Sequence, residues 1–253
     1  MAGNPPHDDI FDADFARRRE AARARLDSID PARRGEPLAD PKRQNWFEAV
    51  YELADGDAAG VPWGNLAPHP LLADWLQQNP DLAGMKALDV GCGLGDNAAA
   101  LADRGAEVTA FDFAPRAVDW ARGRFAGKAI DFVVADLFAP PPQWREAFDL
   151  VHETYTLQAL PAELLPAMRQ ASAGFVKPGG RLLAVARARE DNERIEGPPW
   201  PLARGDIEAF RDCGLVLERL DDAPSGPAAI RHWRALFRKP LQDERQKKIL
   251  CPR

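Results

Sequence analysis

The stretch that most constrains how this chain folds is Leu88-Asp89-Val90-Gly91-Cys92-Gly93-Leu94-Gly95. A short apolar run, Lys86–Val90, enters closely spaced glycines, and an Ala-rich segment of helical character (95–104) follows at once. A strand that turns immediately into a helix needs backbone freedom at the turn, and glycine supplies it. The alternation then continues. Strands are predicted at 107–111, Ile130–Val134, 148–152 and 181–188, with helices at 115–125 and 161–175 between them. Strands alternating with helices build βαβ units and a mostly parallel sheet. After a short helix at 205–213, two more strands, 215–220 and Ile230–Arg238, are separated only by the turn-like Asp-Asp-Ala-Pro-Ser-Gly-Pro of 221–227. Two strands joined without a helix are expected to pair antiparallel at one sheet edge. The expected fold is therefore α/β: a seven-stranded, mostly parallel sheet ending in an antiparallel hairpin, with helices on both faces.

The rest of the chain divides around this core. Residues 1–44 read as a charged N-terminal extension, partly flexible or helical. The Arg-rich run 11–28 is expected as an exposed helix, and the Pro-rich 30–42 as a linker. Residues 45–84 carry Trp46, Phe47, Tyr51 and Trp63 and a helical run at 71–78, and read as an aromatic lid segment. The core spans 85–240, and 241–253 is a tail.

Bulk properties narrow the function classes. The 253 residues are 45% hydrophobic, enough for a buried core, and no apolar run approaches a membrane span of about 20 residues. The polar start of the chain does not resemble a signal peptide, so a cytoplasmic location is expected. Cys92, Cys213 and Cys251 lie far apart, without metal-ligand spacing or a disulfide framework, and no metal is expected. The net charge of -6 disfavours non-specific nucleic-acid binding, which needs an excess of Lys and Arg.

The glycine loop departs from the dinucleotide fingerprint. Its spacing is G-x-G-x-G, and Asp96 stands where a third glycine would meet a pyrophosphate. With Asp89 on the same edge, the loop suits a cationic ligand without phosphate, a description that S-adenosylmethionine meets. Asp112, just past the second strand, is placed to accept from ribose hydroxyls. Asp136, past the third, is placed to accept from an adenine amine, with Leu137 against the ring.

The segments 88–95, 111–113, 135–137, 148–152 and 176–181 resemble, in order, the successive motifs of class I S-adenosylmethionine-dependent methyltransferases of the Rossmann-like type. The resemblance covers about 46–240. It implies S-adenosylmethionine as cofactor, held by Asp89, Gly91, Gly93, Asp112, Phe113, Asp136 and Leu137, with His152 near the methyl group. Trp46, Tyr51, Trp63 and the Pro68-His69-Pro70 run are similar to the opening of thiopurine-methyltransferase-like and tellurite-resistance-type enzymes. That likeness implies that Trp46 and Trp63 cover the cofactor, where tryptophan faces attract a sulfonium.

The substrate side is less defined. The fourth strand ends in His152-Glu153-Thr154-Tyr155 rather than the Asn/Asp-Pro-Pro-aromatic run of amino-group enzymes, and no Pro-Cys pair marks a pyrimidine-C5 enzyme. His152 and Glu153 are the candidate catalytic residues, as bases if the nucleophile is a hydroxyl. The expected function is methyl transfer to a small-molecule acceptor, with a thiol or other soft nucleophile as one choice. Transfer to RNA or protein, a non-catalytic cofactor-binding domain and a nicotinamide-dependent oxidoreductase are the alternatives. His69 and His232 read as structural, and the loop Gly197-Pro198-Pro199-Trp200-Pro201-Leu202 as either a pocket wall or a rigid surface loop.

Overall fold

The computed structural model describes residues 13–193, 197–225 and 229–241. The first twelve residues of the extension, part of the 221–227 turn and nearly all of the tail lie outside the described residues. Seven strands form one sheet: β1 (Lys86–Val90), β2 (Glu107–Asp112), β3 (Ile130–Val134), β4 (Phe148–Thr154), β5 (Val176–Arg187), β6 (Val216–Ser225) and β7 (Ile230–Arg238). Their order is β3-β2-β1-β4-β5-β7-β6. The first five pair parallel, and β7 runs antiparallel to both β5 and β6, as the missing helix before it requires.

Successive strand residues point to opposite faces, and the sheet is covered on both. Leu88, Val90, Phe111, Val151, Leu182 and Ala184 pack into one core with α6 (Leu165–Phe175) and α7 (Arg204–Glu208). Their neighbours Ala87, Ala110, Leu150 and Leu183 pack into the other, with α3 (Pro70–Gln78), α4 (Asp96–Ala102) and α5 (Pro115–Arg124). The apolar alternation that specified strands thus also assigns their faces. Helix α5 starts on Pro115 and carries Arg122 and Arg124 in its last turn, where the ring's fixed φ and the helix dipole favour those residue types.

Two strands are longer than their apolar cores suggest. β5 begins at Val176, which pairs with Phe148 before a register shift. β6 runs through Asp221 and Asp222 into the expected turn. Those acids are tolerated in the strand because Arg234 and Arg231 on β7 take them as bidentate partners at 2.6–2.9 Å.

The N-terminal part folds over the carboxyl ends of the strands. Helices α1 (Ala13–Ile29) and α2 (Gln44–Ala54) join a small core of Phe15, Tyr51, Ala54, Val61 and Leu94. The Arg-rich run is a helix as expected, but it is not simply solvated. Arg19 donates to Asn65 Oδ1 at 2.8 Å and to the carbonyls of Ala58 and Val61 at 3.3 Å, and Arg23 to that of Pro62 at 3.2 Å. The carbonyls of Ala58 and Val61 already accept the N–H groups of Val61 and Gly64, and the guanidinium fork adds donors to their remaining lone pairs. Among the described residues, no helix is long and apolar enough to cross a membrane.

Candidate active site

The glycine loop lies at the carboxyl end of β1, the middle one of the five parallel strands. Gly91, Gly93 and Gly95 all have positive φ, at 64°, 51° and 85°. At Gly91 a Cβ would stand 2.6 Å from Thr156 Oγ1, and at Gly93 it would stand 3.4 Å from Tyr51 Oη. The first forces glycine. The second shows how closely the lid covers the loop. Tyr51 and Trp63 are themselves joined, Trp63 Nε1 donating to Tyr51 Oη at 3.1 Å.

Asp112 closes the far side of the loop. Its Oδ2 accepts from the Gly93 N–H and its Oδ1 from the Ala114 N–H, both at 3.0 Å, so the carboxylate is fixed and each oxygen keeps a further lone pair. Burial raises its pKa to about 6, against the pull of these backbone donors. Glu48 on α2 adds to that rise, and its buried Oε2 has no hydrogen-bond partner. Phe113 packs edge-on against Phe47 of the lid at 5.5 Å.

Asp136 and Leu137 stand one strand further out. Asp136 accepts the Phe138 N–H at 2.8 Å and pairs with Lys42 at 2.7 Å, while Leu137 is buried in the core. The Lys42 ammonium also lies 4.8 Å from the Phe138 ring centre.

Beneath the loop, β1 and β4 place Asp89 opposite His152 and Val90 opposite Glu153. Asp89 Oδ1 meets His152 Nδ1 at 2.7 Å, and His152 Nε2 meets Thr154 Oγ1 at 3.0 Å. Glu153 Oε2 accepts from the Thr156 and Leu157 N–H groups, while Glu153 Oε1 and Asp89 Oδ2 are buried without partners. Burial raises the Glu153 pKa to about 8. His152 and Glu153 are both fully buried. Both ring nitrogens of His152 are engaged, and Glu153 organises the turn after β4.

Two expectations change. Asp96 was read as a negative charge beside the loop, but Arg124, itself held on the Leu94 carbonyl, takes both its oxygens at 2.7–2.8 Å and offsets that charge. The preference for a cationic ligand rests instead on Asp89, Asp112 and Glu48. The cation over Trp46 is Arg43, 4.1 Å from the ring centre, and Trp46 meets Trp63 at 6.0 Å. The 197–202 loop reaches the same place: Trp200 lies 5.3 Å from the Arg43 guanidinium and donates its N–H to Gln158.

A second polar cluster was missed in the sequence. Tyr155 Oη lies 3.0 Å from His69 Nε2 and 2.8 Å from His232 Nε2. The Leu71 N–H donates to His69 Nδ1, so His69 carries its proton on Nε2 and donates it to Tyr155. Tyr155 in turn donates to His232, whose Nδ1–H is held by the Ile230 carbonyl at 2.6 Å. Burial pulls the pKa of His69 down to about 3, and it lowers that of His232 as well. Tyr155 has φ 69°, a strained conformation for a non-glycine residue, and strain of this kind concentrates at functional sites.

Strand order and loop position are those of the Rossmann-like fold of class I S-adenosylmethionine-dependent methyltransferases. Residues 87–180 match the family model described as a methyltransferase domain. The ubiquinone biosynthesis O-methyltransferase of Xylella fastidiosa (strain 9a5c) is 37% identical over 121 residues, 46% of this chain and 47% of that protein. The chain thus spans about half the length of the curated relative it matches. Among solved structures, the 1,6-didemethyltoxoflavin-N1-methyltransferase of Burkholderia thailandensis, with bound S-adenosylhomocysteine, superposes with a TM-score of 0.64 at 18% identity, over 81% of this chain and 92% of that one. The cyclase SpnF does so at 0.64 and 20%, over 81% and 98%. These likenesses show a methyltransferase domain over 87–180 and the fold around it, and do not extend to the thiopurine-like subgroup. A cyclase on this fold also shows that fold alone does not fix the reaction.

Proposed function

We propose that this protein transfers a methyl group from S-adenosylmethionine to a hydroxyl oxygen of a small molecule. The observation that carries the cofactor half is the fixed, buried Asp112 carboxylate on the Gly93 N–H, under a lid that leaves Glu48 Oε2 and, one layer down, Asp89 Oδ2 without partners. Unpartnered buried acceptors fit a ligand rich in hydroxyl and ammonium donors. In this reading Asp112 holds the ribose hydroxyls, and Gly91 and Gly93 admit the methionine part. Asp136 and Leu137 flank the adenine, and Trp46 and Trp63 exclude water. The cofactor supplies a methyl group on a positively charged sulfur, poised for in-line displacement.

Oxygen is favoured over sulfur because an alcohol or phenol must lose a proton as it is methylated, and the Tyr155 cluster offers a path for it. Tyr155 Oη accepts from the acceptor hydroxyl while its own proton passes to His232 Nε2, 2.8 Å away. Burial pushes the tyrosine hydroxyl above its usual pKa, so Tyr155 relays a proton rather than acting as a phenolate. The similarity to an O-methyltransferase supports the same choice.

Labelled methyl transfer to a phenol and to the matching thiophenol tests the reading. Wild type should methylate the phenol, and Tyr155→Phe should lower that rate by about a hundred-fold, the scale of general-base catalysis. The thiophenol, already ionised, should be spared. Equal loss on both acceptors would contradict the relay, and transfer to the thiophenol alone would return the soft-nucleophile alternative.

A further inference from the structure

The chain's arginines at this edge of the sheet are nearly all committed. Arg189 pairs with Asp206 at 3.3 Å, Arg231 with Asp222 at 2.6 Å and Arg234 with Asp221 at 2.8 Å. Arg187, the last residue of β5, is the exception. Among the described residues its side chain makes no ion pair, and its Nε is buried with no hydrogen-bond partner. A buried donor left unpaired is costly, and a charged one more so. Such a cost persists where something absent from the free protein supplies the acceptor.

Its position says what that something meets. Arg187 sits opposite His232 in the β5–β7 register, and its guanidinium lies 6.0 Å from the Tyr155 ring centre. Tyr155 and His232 stack at 5.7 Å, so arginine, tyrosine and histidine form one group at the carboxyl ends of β4 and β5. Arg23 of α1 adds a second cation. It is held on the Pro62 carbonyl, and it lies near enough to Arg187 for the two charges to oppose each other. In a chain of net charge -6 this is a local positive site. The Arg187 guanidinium contacts the Tyr155 hydroxyl and keeps its Nε without a partner; a planar guanidinium matches a carboxylate, which it grips through parallel hydrogen bonds.

We propose that the methyl acceptor is a small carboxylate-bearing molecule whose carboxylate is held by Arg187, with Arg23 as a second cation. This rests on the methyltransferase reading and adds the substrate class. An anion there would offset the repulsion between the two guanidiniums. It would also ease the uptake of a proton by His232, which burial first and the Arg187 charge after it make less basic.

Calorimetric titration of benzoate and of benzamide, two probes of one shape, into the full chain saturated with S-adenosylhomocysteine tests the site. Benzoate should bind about ten-fold more tightly than benzamide, the scale of one charge-assisted pair. Arg187→Gln should abolish that preference, and Arg187→Lys should restore part of it. The affinity for S-adenosylhomocysteine should be the same in all three proteins. Absence of a benzoate preference in wild type, including no benzoate binding, overturns the proposal, as does a preference that survives Arg187→Gln. Failure of S-adenosylhomocysteine to bind would instead refute the cofactor reading, and titration of benzoate into the free protein would then judge the anion site alone.

Discussion

Asp30 and Arg43 form a buried ion pair, Arg43 Nη2 donating to Asp30 Oδ2 at 2.5 Å with both side chains at most 2% exposed. The pair ties the end of α1 to the start of α2. Arg43 extends the link by donating to the Ala159 carbonyl at 3.3 Å and by lying over Trp46. The Arg43 guanidinium thus fastens the start of α2 to the segment after β4, which His69 also reaches through Tyr155. Removing one partner leaves the other charged and buried, which costs roughly 3–5 kcal/mol. Asp30→Asn and Arg43→Met should each lower stability by about that amount in urea unfolding. The double variant should lose much less than the sum. Additive losses would show that the two groups do not act as a pair.

Glu153 makes stability depend on pH. Its pKa rises from 4.5 to about 8 on folding, because burial disfavours the charged form. The folded state therefore keeps a proton that the unfolded chain releases. The stabilisation is complete below pH 4.5 and is lost as pH rises through about 8. Glu153→Gln cannot ionise. Its melting temperature should fall behind or match wild type near pH 5 and exceed it near pH 9, by an amount on the order of a few kcal/mol in stability. Asp112 titrates with the same sign but is present in both proteins and cancels. A difference between the two proteins that does not change with pH would refute the assignment.

Gly91 is held at φ 64° with Thr156 Oγ1 where a Cβ would go, and that hydroxyl donates to the Val90 carbonyl at 3.0 Å. Gly91→Ala combines a left-handed alanine, costing about 1–2 kcal/mol, with a broken Thr156 contact. The melting midpoint should drop by about 2–4 °C per kcal/mol lost, and affinity for S-adenosylhomocysteine should fall with it. Gly123→Ala, in helix α5 with nothing within 4 Å, is the control: it should leave the affinity unchanged and hold or raise the melting midpoint, as alanine favours the helix. Unchanged binding in Gly91→Ala would remove the loop from the cofactor site.

Much of this architecture is legible in the amino-acid order. Strand–helix alternation with period-two apolar residues set the sheet, because each strand buries two faces and each helix one. The positions of Gly91, Gly93 and Asp112 at strand ends were legible for the same reason: strand ends and loops are local in sequence. What was not legible is what the fold brings together from afar. His69, Tyr155 and His232 are separated by 86 and 77 positions, so no spacing hints that one hydroxyl joins both rings. The Asp96–Arg124 pair reversed a charge argument, because a side chain's partner cannot be read from its neighbours. The pairing of His152 with Asp89, 63 positions apart, was hidden in the same way.

The central claim, that this chain binds S-adenosylmethionine through Asp112, is tested most directly by calorimetric titration of S-adenosylmethionine and S-adenosylhomocysteine into wild type and Asp112→Ala. The account predicts micromolar binding of both by wild type. Asp112→Ala should bind at least about ten-fold more weakly, the loss expected for hydrogen bonds to a charged acceptor. A folded wild-type protein that binds neither ligand, or an Asp112→Ala variant that binds them as tightly as wild type, would contradict it.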